Sequence, residues 1–399
     1  MTLSSVLAKN TTYLTLSSIA QKALAFVWYI YVTQQLNEET LGEYTFAIGF
    51  TSIFVILMNF GFIPVLTRDG AKQPDKLQET FNVVISTKLI LTIISLGVLV
   101  GVFQGLNYFS PQSQYTVLLV YLATGIIVLD TFRSTIFAVL RAQQRMHYEA
   151  IGQFLYQVAV AAVGTVCFAL GYKAGGLILA INIASCLFLI YAVVVLIKTT
   201  AIRWHWQWQW RMVWKLCLVA APFALADIFF RLNGSIDTVM LKYLAGNRYV
   251  AWYNIAQKLT VTLSIIPGMF ATAFFPVMSQ AIAQSREALR DIFERSTALL
   301  FFVSVPLAIG SIILAPAIIN VAFKSYPAAI PALQIFMVSL IFMFANYPIG
   351  NALNAANRQL LNTVNMLIAL LCNIVLNVLL IPQYTYIGAA GAAMASTII

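Results

Sequence analysis

Charge is what this sequence has least of. Asp, Glu, Lys and Arg make up 9% of its 399 residues, where soluble domains carry roughly 25%. A chain so poor in ionised groups cannot clothe a globular surface, and a water-soluble domain is excluded. Histidine is nearly absent. His147 and His205 both fall in predicted loops, so neither a His-based metal site nor a His-based catalytic centre is expected. The four cysteines, Cys167, Cys186, Cys217 and Cys372, lie in apolar segments without metal-site spacing. They read as core residues rather than a disulfide framework. No cofactor or metal motif is found, and no catalytic residue is assigned.

What is present is apolar length. Hydrophobic residues account for 61% of the chain, and a helix needs about 20 of them to cross a bilayer. Spans are predicted at 12–35, 42–66, 80–104, 115–140, 148–170, 174–198, 213–242, 249–280, 297–319, 329–353 and 359–381. The fold class is therefore all-α, a polytopic membrane protein. A twelfth span begins near residue 386 and is still apolar at Ile399. So short a stretch would rise only ~20 Å against a ~30 Å hydrocarbon core, and the expectation is an incomplete last helix. Ala23-Leu24-Ala25 mimics a signal-peptidase site. Gln21 and Lys22 interrupt the apolar region just before it and many spans follow, so the first helix is expected to be retained.

Basic residues set the orientation. Loops on one side hold Lys9, Arg68, Lys72, Lys76, Arg141, Arg145, Lys198, Arg203, Arg211, Lys215, Arg286, Arg290, Arg295 and Arg358; the other side holds Lys173, Lys242, Arg248 and Lys324. The richer side is expected to be cytoplasmic, with the N-terminus on it. The net charge of +10 is mostly this bias, so no nucleic-acid partner is invoked. Residues 202–214, IRWHWQWQWRMVW, alternate tryptophan with polar residues. That pattern suits an interfacial linker, with a grip on lipid headgroups as the alternative.

The chain repeats itself. Pro64, Leu77 and Phe81 recur as Pro276, Leu289 and Phe293; Leu140, Ala142 and Arg145 as Leu353, Ala355 and Arg358; Tyr172, Gly176 and Ala180 as Tyr384, Gly388 and Ala392. Leu36 and Tyr44 match Leu244 and Tyr253 at nearly the same offset. Six spans per half is an even number, so two parallel six-helix pseudo-repeats are expected, with a substrate site between them. The boundaries are 1–200 for the first lobe, 201–214 for a cytoplasmic interfacial linker and 215–399 for the second lobe.

Against this apolar background the charges inside spans stand out. An ionised group near mid-bilayer costs at least ~2.5–3.5 kcal/mol and so faces a bundle interior or a water-filled path. Asp227, Arg231, Gly234 with Ser235, Thr238 and Lys242 form one stripe of the seventh span, at steps of three and four residues. Asp237 lies in the same span. Lys22 occupies the position equivalent to Arg231 and has its own polar stripe of Thr11, Thr15, Ser18, Tyr29 and Thr33. Two pseudo-equivalent cations suit a path for an anion; charge pairing or snorkelling is the alternative. Lys258 is too deep to snorkel easily, and its cavity and structural readings stay open. Lys88 and Arg133 lie near the cytoplasmic edge and are expected to snorkel, while Asp130 and Arg133, three apart, are spaced to pair. Asp227, Asp237 and Asp130 are candidates for ion coupling or for charge pairing. Pro222, Pro267, Pro306 and Pro348 interrupt spans, as hinges or as static kinks.

Several stretches carry a family resemblance: LNEETLGEY at 36–44, LTRDG at 66–70, LRAQQRMHYEAIGQ at 140–153 and IDTVMLKYLAGNRYVAWYNIAQKL at 236–259. The most specific is NIVLNVLLIPQYTYIGAAGAA at 373–393, with its Asn-x-x-x-Asn, Ile-Pro and Gly-Ala-Ala series. Tyr386 stands where the family's Tyr-Gly-Ile-x-Gly has a glycine. Together these resemble the polysaccharide-repeat flippases of the multidrug/oligosaccharidyl-lipid/polysaccharide exporter superfamily. The resemblance implies a multidrug-exporter-like arrangement of two lobes around a central cavity. It also implies alternating-access transport, without catalysis, of undecaprenyl-diphosphate-linked oligosaccharide or O-antigen repeats across the bacterial inner membrane. Membrane lipid is an implied partner, and polysaccharide-assembly proteins are further candidates. The cationic cavity residues would be Lys22, Arg231 and Lys258.

Two other readings compete with this one. A multidrug exporter of the same superfamily would want an acidic cavity for cationic drugs, which the positive excess opposes. A membrane-integral glycosyltransferase or polymerase would need catalytic carboxylates or histidines on a sizeable outer loop. The longest predicted outer loop, 105–114, offers none.

Overall fold

The computed structural model describes residues 3–356 and 358–399, the side chains of residues 3–16, 272, 273 and 283 excepted. The Thr11 and Thr15 side chains of the predicted polar stripe fall outside that description. Among the described residues there is helix and no strand. In order the helices are α1 (Leu3–Gln35), α2 (Glu38–Asn59), α3 (Phe62–Lys72), α4 (Leu77–Phe109), α5 (Gln114–Ala142), α6 (Met146–Ala169) and α7 (Ala174–Thr199). There follow α8 (Trp210–Leu244), α9 (Asn247–Leu263), α10 (Ile265–Gln284), α11 (Arg286–Ala322), α12 (Ile330–Ala355) and α13 (Gln359–Ile398). Nine helical stretches among the described residues are long and apolar enough to cross a membrane. The chain is an all-helical, multi-pass membrane protein.

The structure departs from the predicted spans in three places. The span predicted as continuous over 42–66 breaks between α2 and α3, where Phe60 and Gly61 take positive φ angles of 40° and 69°. Gly61 is required there twice over, since a Cβ on it would stand 2.5 Å from the Ala220 carbonyl oxygen. The span predicted over 249–280 is two helices that meet at Ser264. Pro267 falls in the first turn of the second, where a missing N–H costs nothing. The outer loop predicted over 105–114 shrinks because α4 continues to Phe109 and α5 starts at Gln114. The break predicted between the last two spans is matched within α13, where the backbone is non-helical at Thr385 (φ 50°, ψ −129°). Pro222, Pro306 and Pro348 lie inside helices that continue through them.

The chain packs as two compact units, residues 1–36 with 47–231, and residues 37–46 with 232–399. In the first, α1 packs on α6, α5 and α6 pack on α7, and α3 packs on α5. Phe62, Leu66, Phe81, Phe137, Leu140 and Val195 lie in its core. In the second, α9, α10, α11 and α13 gather on α12. Tyr253, Phe323, Tyr326 and Phe344 are fully buried there, with the Tyr253 and Phe336 rings edge to face at 5.2 Å. Lipid tails are as apolar as these side chains, so close packing and polar ties between helices hold such a bundle together. Asn182 Nδ2 on α7, donating to the Leu122 carbonyl of α5 at 3.0 Å, is one such tie.

Candidate functional site

The polar stripe of α8 is built by a long apolar helix that places its charges at helical spacing. Arg231 Nε donates to Asp227 Oδ2 at 2.9 Å, one turn apart on the same helix, and both side chains are about one third exposed (32% and 31%). The pair therefore does not tie two helices together; it partly neutralises a cation that keeps an open face. Further along α8, Thr238 is buried and shares hydrogen bonds with Asn254 of α9. Lys242 donates to Asn247 Oδ1 and lies 5.7 Å from the Phe46 ring.

Lys22 is exposed on α1 and forms no salt bridge with a described residue. It shares the first unit with Arg231, although the chief packing partner of α1 is α6. Its neighbour Gln21 helps line a cavity of about 290 Å³ with Arg133, Ser134, Phe137, Glu149, Gln153 and Tyr156. Lys258 is exposed on α9, in the second unit, so the structure does not gather the three candidate cations into one unit.

The candidate acids divide cleanly. Asp130 accepts from Arg133 at 3.0 Å and from the Ser185 hydroxyl at 2.9 Å, and the Arg133 guanidinium lies 4.2 Å from the Tyr156 ring centroid. The pairing expected from their spacing is present, and Arg133 is held inside the unit. Asp237 is different. It is 2% exposed and accepts from the Tyr253 hydroxyl at 2.6 Å and from Asn377 Nδ2 at 2.5 Å. Asn377 Nδ2 also donates to Asn373 Oδ1 at 2.9 Å, while Asn377 Oδ1 is buried with no hydrogen-bond donor. No described cation forms a salt bridge with this carboxylate.

Lys88 corrects an expectation. It does not snorkel: it is fully buried and donates to Asn59 Oδ1 at 2.8 Å, to the Thr131 carbonyl at 3.0 Å and to Thr135 Oγ1. The amine thus ties α2, α4 and α5 together where α2 ends. Among the described residues no group of three His, Cys, Asp or Glu side chains is placed to hold a metal ion.

Comparison with known proteins decides the family. The family described as polysaccharide biosynthesis protein matches residues 7–282, well over half the chain, and the MatE family matches residues 222–379. The chain belongs to the polysaccharide biosynthesis protein family. The capsular polysaccharide biosynthesis protein CapF of Staphylococcus aureus is 21% identical over 394 residues, covering 96% of this chain and 94% of the relative. A probable low-salt glycan biosynthesis flippase of Haloferax volcanii, Agl15, is 19% identical, with 98% and 81% covered. The inward closed conformation of the lipid II flippase MurJ shares the fold, at a TM-score of 0.74 and 19% identity over 96% of this chain and 85% of that one.

Within this chain the Asn-x-x-x-Asn motif of 373–377 gains a structural meaning that sequence alone did not supply. Its two amides are brought to Asp237, from a position 140 residues away. Tyr156 and Ser185 around Asp130 were likewise unassigned, because nothing in their local spacing points to that carboxylate.

Proposed function

We propose that this protein is a flippase of the multidrug/oligosaccharidyl-lipid/polysaccharide exporter superfamily, carrying undecaprenyl-diphosphate-linked oligosaccharide repeats from the cytoplasmic to the outer leaflet of the bacterial inner membrane, N-terminus cytoplasmic, by alternating access. The observation that carries the reading is the partly open Asp227–Arg231 pair in the middle of an apolar 35-residue helix. An arginine exposed to hydrocarbon at that depth costs at least ~2.5–3.5 kcal/mol, so its open face belongs to a wet path. Lys22, exposed on another apolar helix of the same unit, supports the same reading. At ~4 Å and an effective dielectric of ~20, each cation attracts a phosphate charge by about 4 kcal/mol, offsetting much of its dehydration. Cells with Lys22→Ala and Arg231→Ala should accumulate lipid-linked saccharide on the cytoplasmic leaflet; undiminished surface polysaccharide would remove this role.

For energy coupling, we propose Asp237. Asp227 and Asp130 already have cationic partners, whereas Asp237 has only neutral donors and a neighbouring amide oxygen without one. A proton or a small cation on that carboxylate would satisfy Asn377 Oδ1 as well. Asp237→Asn should abolish the dependence of transport on the ion gradient, and transport that keeps its full gradient dependence would rule Asp237 out.

A further inference from the structure

The polar face of α4 and the connecting segment 202–209 meet in a register that membrane spanning does not require. Gln78, Asn82 and Ser86 stand four residues apart and climb α4 in steps of about 6 Å. An extended chain advances about 6.6 Å per two residues, so every second backbone N–H meets the next side chain up. Arg203 N–H donates to Gln78 Oε1 at 2.9 Å, His205 N–H to Asn82 Oδ1 at 3.2 Å and Gln207 N–H to Ser86 Oγ at 3.1 Å. Gln78 Nε2 donates back to the Arg203 carbonyl at 2.5 Å, and Asn82 Nδ2 to Gln207 Oε1 at 3.4 Å. The Arg203 guanidinium donates to the carbonyls of Ile197, Thr200 and Ile202, holding the end of α7. The segment is a strut pinned along one edge.

Its period of two puts Trp204, Trp206 and Trp208 on one face. With Trp210 and Trp214 on the first turns of α8, these rings are 41% to 65% exposed. Arg211 and Lys215 run beside Trp210 and Trp214 at the same one-turn step; both are exposed, and neither forms a salt bridge with a described residue. No acidic residue occurs between Glu149 and Asp227. A membrane-spanning helix precedes the strip and another follows it, so the strip lies at the edge of the bilayer.

We infer that residues 204–215 form a binding site for anionic phospholipid headgroups, with Arg211 and Lys215 on the phosphates and the tryptophans seated at headgroup level. Tryptophan suits that level, the charge of a single sign selects an anionic lipid, and an exposed row fits a fluid surface rather than a single bound molecule. The ladder of Gln78, Asn82 and Ser86 positions this surface without touching lipid. The inference stands whether or not the transport reading holds.

Five of the 7 tryptophans lie in the strip, so the emission of the full chain reports on it. The chain is reconstituted in phosphatidylcholine vesicles with about a tenth of the lipid replaced by brominated phosphatidylglycerol or brominated phosphatidylcholine. Quenching should favour phosphatidylglycerol by about fivefold or more in apparent affinity. Arg211→Gln with Lys215→Gln should bring the two lipids level, and Gln78→Ala with Asn82→Ala should lower the preference without removing a lipid-facing group. In the unaltered chain, raising salt toward about 1 M should erode the preference, because the Debye length falls to about 3 Å. Equal quenching by the two lipids, or a preference that survives both the charge removal and the salt, overturns the assignment. Displacement of brominated phosphatidylglycerol by equimolar polyprenyl diphosphate overturns it too, since the strip would then be a substrate site.

Discussion

Asn59→Leu should destabilise the protein more than Lys88→Met, although the second change removes the charged residue itself. Lys88 is fully buried and makes three hydrogen bonds to neutral acceptors; a charged donor left at that depth with one bond missing costs about 1.5–3 kcal/mol, whereas removing donor and charge together costs only what the acceptors lose. Asn59→Leu deletes one of them and leaves the charge in place, so a loss of about 1.5–3 kcal/mol is expected. Lys88→Met deletes all three, but it also removes a charge whose placement at this depth costs about 2.5–3.5 kcal/mol. Two of the orphaned acceptors fare well: the Thr131 carbonyl still accepts from Ser134 and Thr135, each at 2.9 Å, and the Thr135 hydroxyl remains a donor in that bond. Only Asn59 Oδ1 is left without its partner. The double variant should therefore melt close to Lys88→Met alone, because replacing both partners by apolar groups is nearly neutral. Thermal unfolding of the purified chain in detergent gives the order directly. Additive losses, or a lower midpoint for Lys88→Met than for Asn59→Leu, would refute the buried-ammonium account.

Two further changes probe the backbone. Gly42→Ala would drive a Cβ into the Asn247 carbonyl oxygen and should lower the melting midpoint sharply, whereas Gly101→Ala meets nothing within 4 Å and should be neutral or stabilising by up to about 1 kcal/mol. Thr385→Gly should raise the midpoint by relieving a β-branched residue held at φ 50° and ψ −129°, a strain of about 1–3 kcal/mol; no gain would mean that the turn is not strained.

The spans were legible because apolar length and the loss of charge act locally. So were the pairs Asp130–Arg133 and Asp227–Arg231, which sit one turn apart on single helices. The break at Phe60–Gly61 was not, because glycine is common within membrane helices and an apolar run continues through it. The Lys88 site escaped for another reason. Its acceptors lie 29, 43 and 47 residues away, and depth along a span does not tell a snorkelling lysine from one buried against neighbouring helices. Asp237 is a candidate on the sequence alone, but its cage of Tyr253 and Asn377 is made by packing within the second unit. The tryptophan repeat was plain in the sequence, yet the partners that pin it lie on α4, more than 120 residues earlier.

The measurement closest to the central claim is transport in proteoliposomes made with the purified chain and a fluorescent polyprenyl-diphosphate-linked oligosaccharide, read by the fraction of headgroup that becomes accessible to a membrane-impermeant reagent. The account predicts protein-dependent crossing that falls at least tenfold in Lys22→Ala with Arg231→Ala, while the same variant keeps its melting midpoint. Crossing that proceeds equally without those two cations, or at the same rate in empty vesicles, would contradict it.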